Sequence, residues 1–236
     1  MKTLKPYKVT EAGPLYRVKK YSQITQKLVD SLGWPTDMKR PGIDFKTVPL
    51  KRGIRNAFRL SPRYALILAC YSAGKGIRAA VSPCAEAGIT SRPGKSFAEL
   101  KRLSDSGLKL YVKEWRGKLS DAFFENYKDY EKDYLKKAAS LITFRKGRPC
   151  GLFVHVPMKG VSGKTYDFIA WHNLFPGLTA AEKRSARYQA ALWFKGTAKR
   201  QFAVCLDLFD KESYDFFAGL GFVSCRLLFE RRSAAL

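Results

Sequence analysis

Two histidines occur in the 236 residues, His155 and His172. Imidazole is the side chain whose ordinary pKa lies nearest neutral pH, so each is a candidate proton acceptor. His172 is the better placed of the two. It stands in Ala170-Trp171-His172-Asn173, at the end of a β-prone stretch over residues 166–174, and Leu174-Phe175-Pro176-Gly177-Leu178-Thr179 then opens a helix. A base beside a helix N-terminus meets backbone N–H groups and a dipole that favour an anion. Proton abstraction next to a negatively charged ligand is the chemistry that such a place could support. Asp167, in the same stretch, and His155 are weaker candidates for the same work.

Other chemistry-bearing residues point away from function. The five cysteines, Cys70, Cys84, Cys150, Cys205 and Cys225, are widely spaced and form no CxxC. With only two histidines they complete no zinc pattern, so no metal centre is expected, and they read as buried thiols in a reducing compartment. The segment Gly88-Ile89-Thr90-Ser91-Arg92-Pro93-Gly94-Lys95-Ser96 invites comparison with a phosphate-binding P-loop. It has one residue too many between its glycines, a proline before Gly94 and no strand leading in. It reads instead as a turn opening a helix over residues 97–103.

The elements that must position these residues are most regular from residue 107 onward. Residues 108–115 alternate apolar and charged side chains and predict a strand. Residues 120–137 predict an amphipathic helix, capped by Ser120, with Phe123, Phe124, Tyr127, Tyr130 and Tyr134 at helical spacing. A hairpin follows over 139–144 and 151–157, then the strand over 166–174. A helix over 179–195 has Thr179 as cap and Glu182 at the capping-box position. A strand over 201–208, a helix over 211–220 and a strand over 222–229 complete the chain. The order β-α-β-β-β-α-β-α-β implies an α/β fold with a mixed sheet and helices on both faces. The first part is punctuated by Pro and Gly. It offers a short helix near 22–32 and a hairpin running 64–71, turning at 72–76 and returning over 77–81.

Charge is the strongest bulk signal: 44 Lys and Arg against 20 Asp and Glu, a net +24. A surface this basic attracts polyanions, nucleic acid among them. Residues 1–107 hold 21 Lys and Arg against 7 Asp and Glu. There, aromatic residues interleave with Arg17, Lys19, Lys20, Lys51, Arg52, Arg55, Arg59 and Arg63, a pattern suited to stacking on bases while cations track phosphates. A solvated basic surface without a dedicated partner explains the same residues. No apolar run approaches the ~18 residues of a membrane helix, and the polar N-terminus has no signal core. A cytoplasmic protein is the expectation. The 46% hydrophobic residues, 16 Phe, 12 Tyr and 4 Trp among the chain, exclude general disorder.

The order of elements, together with Asp210-Lys211-Glu212-Ser213-Tyr214-Asp215-Phe216-Phe217-Ala218-Gly219-Leu220-Gly221-Phe222, resembles the GNAT acyltransferase family. That family closes on an Asn or Asp, a short helix with an aromatic pair, Leu-Gly-Phe and a last strand. The resemblance covers residues 107–236 as one domain, with 1–106 a basic region of unassigned fold. It implies an acyl-CoA-dependent N-acyltransferase using acetyl-CoA or another acyl-CoA, and the basic first part adds the expectation of an acceptor associated with a polyanion, nucleic acid or tRNA-linked. The alternative is a non-catalytic or aminoacyl-tRNA-dependent nucleic-acid-binding protein on a degenerate fold of this type. The resemblance implies a cofactor beside Asn173, Leu174, Phe175, Gly177, Leu178 and Thr179, with Lys183 and Arg184 at its phosphates and Asp210 and Phe217 near by. His172 is then the base, with Asp167 a weaker choice for that role. The family's glycine pattern is kept only at Gly177. Phe217 stands where many members carry the tyrosine that protonates the leaving thiolate, which leaves Tyr214 as the acid.

Overall fold

The computed structural model describes residues 5–10, 13–32, 42–50, 64–75, 77, 87–115, 118–119, 135–160, 163–197 and 199–231. Its strands are β1 Lys8–Thr10, β2 Gly13–Arg17, β3 Gly42–Pro49, β4 Tyr64–Lys75, β5 Ile89–Pro93, β6 Ala139–Arg145, β7 Arg148–Lys159, β8 Thr165–Leu174, β9 Gln201–Asp207 and β10 Val223–Arg231. Its helices are α1 Gln26–Asp30, α2 Phe97–Trp115, α3 Ala180–Thr197 and α4 Lys211–Gly219. The ten strands form one mixed sheet in the order β1-β2-β3-β10-β4-β9-β8-β7-β6-β5. Pairs β2/β3 and β8/β9 are parallel and the others antiparallel.

Alternation along the central strands divides the core between two faces. On β7, Phe153 belongs to the cluster containing Phe194 of α3, Phe217 of α4 and Val29 of α1, while Leu152 and Val154 join Leu100 and Leu103 of α2. The sheet is therefore covered on both faces, as a mixed sheet with crossover helices requires. Phe153, Phe194, Phe202, Phe217, Phe222 and Phe229 are fully buried, and each contributes about 1.5–3 kcal/mol by leaving water.

The local signals explain where the elements begin and end. Thr179 and Glu182 form the expected capping box at α3: the Glu182 N–H donates to Thr179 Oγ1 at 3.2 Å and the Thr179 N–H to Glu182 Oε2 at 2.8 Å. The α3 face at Ala186, Ala190 and Phe194, four residues apart, is buried. Asp210 caps α4 by accepting from the Ser213 N–H. At the other end Gly221 takes φ +77°, where a side chain would be strained, and Phe222 turns back into the core.

Several expectations differ from the structure. Residues 108–115 are not a strand but the second half of α2. The buried set Leu100, Leu103, Ser104 and Gly107 already has helical spacing, and it carries the helix on through Trp115. The stretch 64–71 does not turn at 72. β4 runs on to Lys75 and pairs with β9 and β10 rather than with a return strand, and residues 78–81 lie outside the described part. Cys70 and Cys150 are buried, but Cys205 is exposed and Cys225 half-buried; Cys84 lies outside the described residues. So do residues 120–134 of the expected aromatic helix. The expected division between residues 106 and 107 falls inside α2. β4, from the first part, lies between β9 and β10 of the second. No helix among the described residues is long and apolar enough to cross a membrane.

Candidate active site

β8 and β9 are paired only at Asp167↔Phe202, Phe168↔Ala203 and Ile169↔Val204. Beyond Ile169 they part. β8 stays with β7 as far as Leu174↔Gly151, and β9 stays with β4 as far as Asp207↔Ile67. The parting coincides with a bulge: Val154 faces Trp171 while His155 faces Ile169, so β8 has one extra residue, Ala170. A bulge bends its strand and re-aims the side chains beyond it. Ile169 pairs with His155 and His172 pairs with Phe153, two β7 positions on the same face. The extra residue thus turns His172, rather than Trp171, toward α4.

The fork opens into a cavity of about 660 Å3, within the size range of small-molecule and cofactor sites. One wall is β8 and the loop after it: His172, Asn173, Leu174, Phe175, Gly177 and Leu178. A second is α2, through Gly107, Leu110, Tyr111, Glu114 and Trp115. The third combines Lys183 and Arg187 of α3 with Asp210 through Ser213 at the start of α4. α2 is fixed over the fork by the Tyr111 hydroxyl, which donates to Asp207 Oδ2 at 2.8 Å, and by Trp115 against Phe209, ring centroids 4.9 Å apart. Gly107 lets α2 approach, because a Cβ there would stand 3.2 Å from the Phe175 ring. Gly177 takes φ +87° in the turn before α3.

His172 is held from α4. Its Nδ1 lies 3.2 Å from Ser213 Oγ, and the Ser213 hydroxyl donates to Asp210 Oδ2 at 2.6 Å. The Ser213 N–H donates to the other Asp210 oxygen at 3.0 Å. The edge of Phe217 packs on the imidazole, with centroids 5.1 Å apart and planes at 83°. Burial pushes the His172 pKa below the ordinary imidazole value, against an upward pull from Asp210. The ring is therefore neutral at pH 7 and able to take a proton.

The charges on the third wall are paired. Glu212 bridges α4 to α3, with Lys183 Nζ at 2.7 Å and Arg187 at 3.0 Å. Beside the turn before α3, Arg145 lies 2.7 Å from Glu182 and donates to the Gly177 carbonyl at 3.0 Å. The Thr179 and Glu182 amides, two of the donors expected to face an anion, are taken by the capping box.

Of the residues singled out in the sequence, the fork gathers His172, Asn173, Leu174, Phe175, Gly177, Leu178, Lys183 and Asp210. It does not gather the others. Asp167 lies at the far end of β8, buried, where it accepts from the Lys199 and Arg200 N–H groups and the Arg200 guanidinium; it ties down the turn into β9. The Tyr214 hydroxyl points away to the Leu50 carbonyl at 2.5 Å. Phe217 is fully buried beneath His172. Thr179 and Arg184 are exposed outside the wall. His155 is buried against Trp193 and Phe202. Ser213, Tyr111, Trp115 and Glu212 were not anticipated. The capping position three residues after Asp210 marks Ser213, and a helical reading from Leu100 onward would have found Tyr111 and Trp115. Of the basic residues of the first part, Arg17 covers the Tyr7 ring at 4.2 Å and Lys19 and Lys20 are exposed. Lys51, Arg52, Arg55, Arg59 and Arg63 lie outside the described residues.

No protein-family model matches the sequence, and no curated protein matches it. Solved structures align with the chain at low identity and with TM-scores below 0.5. A functionally unknown conserved protein from Staphylococcus epidermidis ATCC 12228 aligns with a TM-score of 0.47 and 10% identity, over 95% of this chain and 87% of that one. A GCN5-related N-acetyltransferase from Kribbella flavida aligns with a TM-score of 0.43 and 9% identity, over 94% and 82%. A GCN5-related N-acetyltransferase-like protein from Streptococcus suis 89/1591 aligns with a TM-score of 0.41 and 8% identity, over 97% and 82%.

Proposed function

We propose that the protein transfers an acyl group from an acyl-CoA, acetyl-CoA or a relative of it, to an amine, with His172 taking the proton. The observation that carries this reading is the coincidence of two features at one bulge. The parallel strands separate into a cavity there, and the His172 imidazole lines it. When bound, the cofactor would supply an activated thioester carbonyl. Leu174, Phe175 and Leu178 with Leu110 and Trp115 form an apolar channel suited to its pantetheine arm. Lys183 and Arg187 would hold its diphosphate, exchanging Glu212 for it. An amine attacks only when deprotonated, so a neutral base beside the reacting carbon supplies what the step requires.

The net charge of +24 and the exposed Lys19 and Lys20 favour an acceptor carried by a polyanion such as nucleic acid or tRNA. One observation favours a second reading, a binding protein without acyl-CoA chemistry or one served by an aminoacyl-tRNA. The capping box and Glu212 already occupy two amides and both cations that a diphosphate would need.

Thermal denaturation with and without acetyl-CoA separates the readings. Ligand held at a hundred times its Kd stabilises by ~2.7 kcal/mol, raising the melting temperature of a chain this size by about 5–10 °C. No shift at millimolar acetyl-CoA, with a salt-sensitive shift from RNA, would discard the acyl-CoA reading in favour of the second.

A further inference from the structure

We infer that Ser213 and Asp210 lock His172 in the tautomer that carries its hydrogen on Nδ1, leaving Nε2 as the bare proton acceptor. A serine hydroxyl has one hydrogen to give. At 2.6 Å from Asp210 Oδ2 that hydrogen belongs between the two oxygens, because two lone pairs at that distance without a proton would repel. The other Asp210 oxygen accepts the Ser213 N–H, which fixes the carboxylate in place. Toward His172 the Ser213 oxygen can then only accept, so the contact at 3.2 Å needs a hydrogen on Nδ1. In a neutral imidazole the second nitrogen is then unprotonated. The order differs from a nucleophilic triad, in which the carboxylate orients the imidazole and the imidazole activates the serine. Here the carboxylate holds the serine and the serine orients the imidazole, which makes Ser213 and Asp210 positioning residues.

His155 provides the opposite case in the same molecule. The Thr197 hydroxyl donates to the Trp193 carbonyl at 2.8 Å, so its oxygen can only accept from His155 Nε2 at 3.2 Å. His155 therefore carries its hydrogen on Nε2. The chain has no third histidine, and the two predicted tautomers are opposite.

For its use the inference rests on the acyl-transfer reading. As the C–N bond forms and the thioester C–S bond breaks, the amine nitrogen loses one proton to His172 Nε2. The positive ring that results keeps its Nδ1 hydrogen on Ser213 and faces the Asp210 carboxylate through it. The same proton then passes to the departing sulfur, so amide and thiol are formed and the histidine ends as it began. The charged and titratable groups that line the cavity with the ring are Asp210 at the cap of α4 and Lys211 on it, Glu212 with Lys183 and Arg187 across to α3, and Lys113, Glu114 and Tyr111 on α2.

The test is long-range proton–nitrogen correlation NMR on the 15N-labelled full chain at pH 8. His172 is expected to show a protonated Nδ1 and a bare Nε2, and His155 the reverse. Ser213→Ala removes the acceptor. Asp210→Asn keeps the helix cap but can donate to Ser213 and reverse the direction of its hydroxyl. Both should move the His172 hydrogen to Nε2 while the His155 pattern stays, which reports that the fold is intact. In turnover, both should lower kcat on the order of 10–100-fold with little change in KM for the acyl donor. A wild-type His172 with its hydrogen on Nε2, or a pattern that neither variant alters, overturns the lock. The expected tautomers in a chain that acylates no amine would sink the acyl-transfer reading and leave the lock standing. An active chain with the wrong tautomer would do the converse.

Discussion

The two imidazoles of this chain are both shielded from water, His155 buried and His172 half-buried at the cavity, and that has a measurable consequence. Burial lowers the pKa of His155, opposed by Asp167, and lowers that of His172, opposed by Asp210. Below the ordinary histidine pKa of about 6.5 the unfolded chain binds protons that the folded one refuses, so stability must fall as pH falls. Above it both states carry neutral rings and the dependence vanishes. The melting temperature is therefore expected to be flat from pH 7 to 8 and to drop between pH 6.5 and 5. The pKa values of Glu182 and Glu212 lie below the usual carboxylate range, so their loss belongs to still lower pH. His155→Phe, which suits the aromatic pocket of Trp193, Phe194 and Phe202, should remove part of the slope in calorimetry. An unchanged slope would mean that His155 titrates normally in the fold. His172→Ala bears on function instead. It should keep a cooperative melt and lower turnover at least about tenfold, the low end of what a general base contributes, with equal turnover removing His172 from the mechanism.

At the scale of elements, the bridge from α4 to α3 through Glu212 decides how readily the cavity takes an anion. Lys183 and Arg187 are one-third and one-quarter exposed in their pairs with it, so the pairs are screened and cheap to open. Glu212→Gln should leave both cations to a diphosphate and tighten acetyl-CoA binding about threefold to tenfold in calorimetric titration. Weaker binding would mean that Glu212 orients the cations rather than competing for them. Much at this scale was legible. Thr179 with Glu182, and Gly221 before Phe222, are local patterns whose meaning depends on three or four neighbours. Residues 108–115 misled because their short-range alternation is also consistent with a strand. The helical spacing becomes plain only when Leu100, Leu103 and Gly107 are read with them. The bulge at Ala170 left no mark, since nothing in Ile169-Ala170-Trp171 differs from a regular strand. Hence His172 could be placed at a strand end but not on a face, and Ser213, whose hydroxyl depends on that face, could not be found.

At the scale of the whole molecule, the sheet is not divisible where composition divides the chain. β9 and β10 are not paired with each other; each pairs with β4, which brings Leu66, Leu68 and Cys70 into the same core as Phe202, Leu206 and Phe229. Side chains reinforce the insertion. Ser224 donates to the Ala69 carbonyl, and the Ser72 hydroxyl accepts from the Phe202 N–H. β3 then covers the far edge of β10, and Tyr214 reaches across to Leu50. Pairings separated by more than 120 residues have no local signature, which is why the sequence suggests an independent unit from residue 107. A fragment of residues 107–236 would leave two long apolar strands with unpaired N–H and C=O groups, a state that costs free energy at every orphaned group and invites aggregation. The fragment is expected to show no cooperative thermal transition by circular dichroism and to associate in sedimentation, while the full chain melts as one unit. α3 and α4 would lose the sheet that sets their spacing, so neither the Lys183–Glu212 bridge nor the His172–Ser213 contact could persist in it. A cooperative fragment melting near the full chain would show that the first hundred residues are an appendage rather than the middle of the sheet.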